Sequence, residues 1–162
     1  MRCADEELRP LYALAAFSGI RWAEIEKLEW SDIRENEIIV KASKAKTRSR
    51  RVIEILPNLA EFLAPHRGRT GSVLPLATQQ STKGKPSRKR LERARHRIEA
   101  EAGLVPWKNN ALRHSFISYF FAATSDENKT AALAGNSPEM VHRHYLALVS
   151  REEAERYWKI GP

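Results

Sequence analysis

The sequence has a single cysteine, Cys3, among 162 residues, so no internal disulfide can form and no cysteine-pair metal spacing exists. It has no apolar run approaching the roughly eighteen residues of a spanning helix. Its seven glycines are scattered, and none builds a glycine-rich phosphate loop. No serine sits in a nucleophile-elbow pattern, and no carboxylate pair stands at a site-like spacing. Of the five histidines, His142 and His144 are closest, yet two positions apart on a helix they point to different sides. A resident metal is therefore not expected. Residues 1–10 do not read as a secretory leader, because Asp5, Glu6 and Glu7 occupy the segment that would be apolar. With one thiol and no leader, the cytoplasm is the expected location.

What is present is a basic chain with enough apolar material for a core. Forty-two per cent of residues are hydrophobic and 30% are charged, which excludes a disordered tail. The net charge is +8 and the pI is near 9.9. The charge is concentrated. Residues 41–108 hold seventeen basic and five acidic side chains, a net of +12, whereas residues 1–40 hold five and nine. Two blocks carry the excess, Lys41 to Arg51 and Lys83 to Arg97. Such blocks release counterions from a phosphate backbone and bind it without reading sequence. A solvated helix face is the plainer alternative for both blocks, and weighs most for the second.

The periodicity predicts a mainly α, α+β domain of residues 1–162 with a small antiparallel sheet towards its N-terminal side. Asp5 to Ser18 reads as a helix, with Leu8, Leu11, Leu14, Ala15 and Phe17 on its apolar stripe. Trp22 to Leu28 reads as a second helix. Ile38 to Val40 and Arg51 to Ile55 read as strands joined by a basic arm. Asn58 to Ala64 reads as a short helix. Gly68 to Lys85 reads as loop, with a short strand possible at Val73-Leu74. Ser87 to Ala102 reads as a longer helix. Ala111 to Ala123 is a further helix. Thr124-Ser125-Asp126-Glu127 has capping-box form for the next. Ser137-Pro138 opens another, and Glu152 to Ile160 is a last amphipathic stretch.

Two arginines stand in apolar helical surroundings. Arg21 follows the turn Ser18-Gly19-Ile20, and Arg113 precedes Phe116-Ile117-Ser118-Tyr119-Phe120. The plain readings are a salt bridge from Arg21 to Glu24 and an exposed helix position for Arg113. The sharper reading is a guanidinium pair clamping one phosphate, for which arginine's planar fork is suited.

These residues fall in an order that resembles the tyrosine recombinases, or phage integrases. Leu14 to Ile25, with Gly19, Arg21 and Glu24, looks like that family's first box, and Leu28-Glu29-Trp30-Ser31-Asp32-Ile33 continues it. Lys46-Thr47 resembles the hairpin lysine, followed by the strand Arg51 to Ile55. Asn110-Ala111-Leu112-Arg113-His114-Ser115-Phe116 resembles the second box. Leu133-Ala134-Gly135-Asn136-Ser137 resembles the later leucine, glycine, histidine, serine step. Asn136 lies twenty-three residues after Arg113, and Tyr145 nine after Asn136, as in the family. The resemblance spans roughly residues 8–150 of the chain.

The resemblance implies a DNA breaking-and-rejoining fold and a set of roles. Tyr145 would be the nucleophile and would leave a 3′-phosphotyrosyl link and a free 5′-hydroxyl. Arg21 and Arg113 would hold the non-bridging oxygens. Lys46, rather than Lys44, would protonate the leaving oxygen. Asn110 and Asn136 occupy places usually held by histidine. Asparagine can hydrogen-bond a phosphate but cannot accept a proton at neutral pH. The expected outcomes are an enzyme of reduced rate or a degenerate member that binds DNA without cutting. No cofactor is implied. The implied partners are double-stranded DNA and further copies of the chain, as a tetramer on DNA. Contacts to the duplex are expected from Lys41, Lys44, Arg48 and Arg50 in the first block. In the second they are expected from Lys83, Lys85, Arg88, Lys89 and Arg90. The family's N-terminal helical domain is not expected within these residues. The apolar stripe of residues 151–160 fits docking into a neighbour or packing on its own core.

Overall fold

The computed structural model describes residues 6–43, 50–74, 88–103, 108 and 110–162, with the backbone alone at 88–91. Lys44, Lys46, Arg48, Lys83 and Lys85 therefore lie outside the described residues. Arg88, Lys89 and Arg90 are placed only as the first turn of a helix.

Helix α1 (Arg9–Phe17) is the centre of the molecule, and every residue from Pro10 to Phe17 is buried. A helix apolar on all sides can only be stable when covered all round. It starts at Arg9 rather than Asp5, because Pro10 fits the first turn and fits poorly further in. Gly19, at φ +70°, turns the chain out of it. Helix α2 (Trp22–Ile25) is shorter than its apolar pattern predicts. A 3₁₀ turn at Trp30–Asp32 leads to strand β1 (Glu37–Val40), which pairs antiparallel with β2 (Arg51–Glu54), Val40 opposite Arg51. Along β2 the alternation is strict: Arg51 and Ile53 face in, Val52 and Glu54 face out.

Pro57 does more than stop β2, since it opens helix α3 (Pro57–Leu63). Val73-Leu74 does not form a strand. The contact there is a single bridge between Glu29 and Ser72. Helix α4 (Arg88–Glu101) follows, then α5 (Ala111–Thr124), α6 (Glu127–Ala134), α7 (Pro138–Tyr145) and α8 (Arg151–Trp158). The start of α6 departs from the capping-box reading. Thr124 ends α5, Ser125 takes a left-handed turn at φ 53°, and Asp126 is the cap, its Oδ1 accepting the Lys129 N–H at 2.8 Å.

The core has two parts. One packs α1 against the sheet and α3, with Phe17 stacked on Phe62 at 5.7 Å. The other joins α5, α6 and α7 through Phe116, Phe120, Ala131 and Val141. Helix α8 lies where the two meet. Tyr157 donates to the Ala16 carbonyl at 2.5 Å and stacks on Tyr119 at 4.1 Å. Trp158 meets Phe116 and Phe120 edge-on. Of the apolar stripe of residues 151–160, Ala154, Tyr157 and Trp158 thus pack on the chain's own core, while Ile160 is exposed. Among the described residues, no helix is long and apolar enough to cross a membrane.

Candidate active site

Three turns bring the site residues together. Arg21 caps the start of α2 in extended backbone (φ −70°, ψ 142°), so its side chain leaves α1's end rather than joining a helix face. Arg113 lies on the first turn of α5 with its face towards the core. It is 6% exposed, which rules out the exposed-position reading. Asn136 follows Gly135, the left-handed end of α6 at φ 65°.

The two arginines converge on one oxygen. Asn136 Oδ1 accepts from Arg113 Nη2 at 2.8 Å and from Arg21 Nη2 at 3.4 Å. Arg21 Nη2 also donates to the Gly135 carbonyl at 2.8 Å, and Arg113 Nη1 donates to the Gly19 carbonyl. Two backbone turns from opposite ends of the chain therefore aim the pair. The plain reading of Arg21 also holds, since it is ion-paired with Glu24 at 3.4 Å. The salt bridge and the convergence coexist because a guanidinium has two usable edges.

Glu24 is 2% exposed and serves a second cation. Arg51, from the inward face of β2, reaches it at 2.7 Å. The Glu24 Oε2 also accepts the backbone N–H of Arg21 at 3.1 Å. A buried carboxylate between two guanidinium groups is the charge balance that lets a third, Arg113, sit nearby. Burial, with Arg21 adding to it, still pulls Arg113 down to about 10. It therefore stays charged at neutral pH.

Tyr145 ends α7 and is 8% exposed. Burial pushes its hydroxyl up, while Arg113 draws it down. The Oη lies 2.5 Å from His114 Nδ1, with the rings stacked at 5.8 Å and 22° apart. Burial and then Arg113 hold His114 below its ordinary value of 6.5. This contact was not readable from sequence spacing, because His114 and Tyr145 are thirty-one residues apart on different helices. The signal missed for Arg51 is its place in the strand alternation, which points it inward.

Asn110 stands three residues before Arg113, at the start of α5. It precedes α5 in the left-handed conformation at φ 58°, its backbone carbonyl accepting the His114 N–H at 2.9 Å. Among the described residues, no side-chain hydrogen bond joins it to Arg21, Asn136 or Tyr145. It lines a small cleft together with Tyr12, Trp22, Glu99 and Arg113. Of the expected DNA contacts, Arg50 is exposed and lines a groove of about 740 Å³ shared with Asn136, Ser137 and Met140. Lys41 is half-exposed, with its ammonium 2.7 Å from the Asp32 carboxylate, which raises its pKa. Among the described residues, no group of three His, Cys, Asp or Glu side chains could hold a metal ion.

The mainly helical domain with its two-stranded sheet, its convergent arginine pair and its buried tyrosine defines a class that comparison makes specific. The family model described as the phage integrase family matches residues 2–151, and the chain belongs to that family, whose business is DNA recombination and integration. Three solved structures share the fold. The integrase from mycobacterium phage Brujita aligns at a TM-score of 0.65 and 20% identity, over 96% of this chain and 52% of that one. A structure titled XerA recombinase aligns at 0.68 and 18%, over 94% of this chain and 55% of that one. The catalytic domain of bacteriophage HP1 integrase aligns at 0.59 and 22%, over 94% and 81%. This chain thus spans about half the length of the first two. No protein of curated function matches the sequence.

Proposed function

We propose that this chain is the catalytic domain of a site-specific DNA recombinase that cuts and rejoins strands through a 3′-phosphotyrosyl intermediate. The observation that carries the reading is the convergence of Arg21 and Arg113 on Asn136 Oδ1, with Arg113 near enough to draw the Tyr145 hydroxyl down. Two charged forks aimed at one oxygen suit the non-bridging oxygens of a phosphodiester. They also suit the extra negative charge of a five-coordinate phosphorus, where fixed donors in a poorly solvated site act most strongly.

In this reading Tyr145 Oη forms a bond to phosphorus and the bond to the 5′-oxygen breaks. Lys46, on the arm between β1 and β2, protonates that oxygen. Asn136 holds the two arginines in register and keeps an amide N–H₂ to donate to the phosphate. Rejoining is the reverse, with the 5′-hydroxyl attacking the phosphotyrosine. The phosphotyrosyl ester conserves the bond energy, so the chemistry calls for neither nucleotide nor metal. Duplex DNA is the proposed partner, with Arg50 and the groove beside Asn136 facing its backbone. Assembly of four copies on DNA, and action in the cytoplasm, belong to the same reading.

The test is a covalent adduct. Incubation at low salt with nicked duplexes of randomised sequence, followed by denaturing electrophoresis and mass spectrometry, is expected to give an oligonucleotide linked to Tyr145. Tyr145→Phe abolishes it. An adduct that persists in that variant would remove Tyr145 from the role.

A second reading is favoured by Asn110 and Asn136, neither of which can take a proton at neutral pH. It is a degenerate member that binds DNA without cutting. It predicts binding that weakens steeply with salt and no adduct on any duplex.

A further inference from the structure

The proposed reaction needs something to take the Tyr145 proton, and neither asparagine can. We propose that His114 is the general base for Tyr145 in strand cleavage and the acid that returns the proton in rejoining. The inference rests on Tyr145 being the nucleophile, and adds a catalytic group on α5.

The geometry is direct. His114 Nδ1 and Tyr145 Oη are 2.5 Å apart, within the range a proton crosses. The two rings lie nearly parallel at 5.8 Å, so packing fixes the approach. His114 occupies the first turn of α5 immediately after Arg113, and the same turn therefore supplies a phosphate-binding group and a base. The imidazole is on the exposed side of α5, whereas the tyrosine is buried. A proton taken from the buried hydroxyl thus reaches a ring with access to solvent.

For Nδ1 to accept, it must be bare, and the neutral ring must carry its hydrogen on Nε2. The groups facing the ring are the Arg113 guanidinium on its own helix and the Tyr145 hydroxyl from α7. Burial and Arg113 both work against a charged imidazole. In the resting state the phenol keeps its proton. As the O–P bond forms, the hydroxyl becomes strongly acidic, and the proton passes to Nδ1 while the leaving 5′-oxygen takes one from Lys46. One proton leaves the tyrosine and one reaches the 5′-oxygen, so the step is balanced. On rejoining, the imidazolium returns its proton to the departing Tyr145 oxygen.

The alternative use of this contact is to hold the tyrosine in place, and glutamine separates the two. Its side-chain oxygen can accept the hydroxyl hydrogen bond but cannot take the proton. The adduct assay on nicked duplexes is run with wild type, Tyr145→Phe, His114→Ala and His114→Gln, with DNA binding measured alongside. His114→Ala and His114→Gln are both expected to slow adduct formation by ~10²–10⁴-fold at unchanged DNA affinity. Placing 3,5-difluorotyrosine at position 145, whose hydroxyl is more acidic, is expected to restore much of the rate in His114→Gln. A near-wild-type rate in His114→Gln would overturn the base role and leave a positioning one. A wild-type protein that binds DNA and forms no adduct would instead overturn the recombinase reading, and this inference with it.

A readout without DNA guards against variants that fail to fold. Nitrogen-15 NMR of the free wild-type chain at neutral pH is expected to show His114 as the Nε2–H tautomer. Tyr145→Phe should shift its Nδ1 resonance. Hydrogen on Nδ1 at neutral pH would overturn the proposal.

Discussion

At the scale of single residues, the site is a problem of crowded positive charge. Arg21, Arg51 and Arg113 lie close together, and Glu24 is the buried carboxylate that pairs with the first two. Removing one partner of a buried pair leaves the other uncompensated, which costs about 3–5 kcal/mol. Glu24→Ala is therefore expected to lose that much stability, measured by urea unfolding. Replacing Glu24 and Arg51 together by leucine and methionine should lose less than the sum of the two single changes. A second residue-scale prediction concerns pH. A base must be neutral to accept a proton, and His114 is held neutral further into acid than an ordinary histidine. Adduct formation should thus be level at neutral pH and fall as the pH drops through a value below 6.5. In His114→Gln that acid limb should disappear from the rate profile.

At the scale of elements, the ends of helices matter more than their faces. The turn from α6 to α7 presents both the Gly135 carbonyl and Asn136 to the arginines. Gly135 has φ 65°, and a Cβ there would sit 2.7 Å from Arg51 Nη1. Left-handed backbone costs a side chain roughly 1–2 kcal/mol, and the displaced guanidinium adds to it. Gly135→Ala is expected to lower the thermal midpoint and to slow adduct formation, because the turn that holds Asn136 must move. Gly19 does the same at the end of α1. A Cβ there would lie 2.6 Å from the Phe116 ring, and its carbonyl holds Arg113. The hairpin contributes through one residue of its alternation: Arg51 faces in where a strand surface usually places an apolar side chain, and so ties β2 to Glu24.

At the scale of the molecule, α1 and α8 close the structure. The last helix covers the seam between the two core clusters, with Trp158 against Phe17, Phe116 and Phe120. Trp158→Ala should cost about 3 kcal/mol in chemical denaturation, the low end for a large aromatic truncation, since the ring is only partly buried. The same change in a helix that served only to dock on a neighbour would leave the stability of the single chain near its starting value.

Much of this was legible from the amino-acid order, and the reason is local. Strand and helix identity follow from short-range alternation and from caps such as Ser137-Pro138, which the structure keeps. Membership of the integrase family rests on spacing, which folding preserves along the chain. The charge arithmetic and the pairing of Arg21 with Glu24 need only an interval of three residues. What tertiary structure alone decided lies across long intervals. The sharing of Asn136 by two arginines spans 115 and 23 residues, the Glu24–Arg51 pair 27, and the His114–Tyr145 contact 31. A side chain's partner at such distances depends on how helices cross and on which way a turn releases the backbone. No periodicity encodes that. It also separated the two asparagines, which look equivalent as replacements for histidine. A glycine turn set Asn136 against both arginines, while Asn110, in left-handed backbone, lines a cleft with Arg113 and among the described residues makes no side-chain hydrogen bond to either arginine.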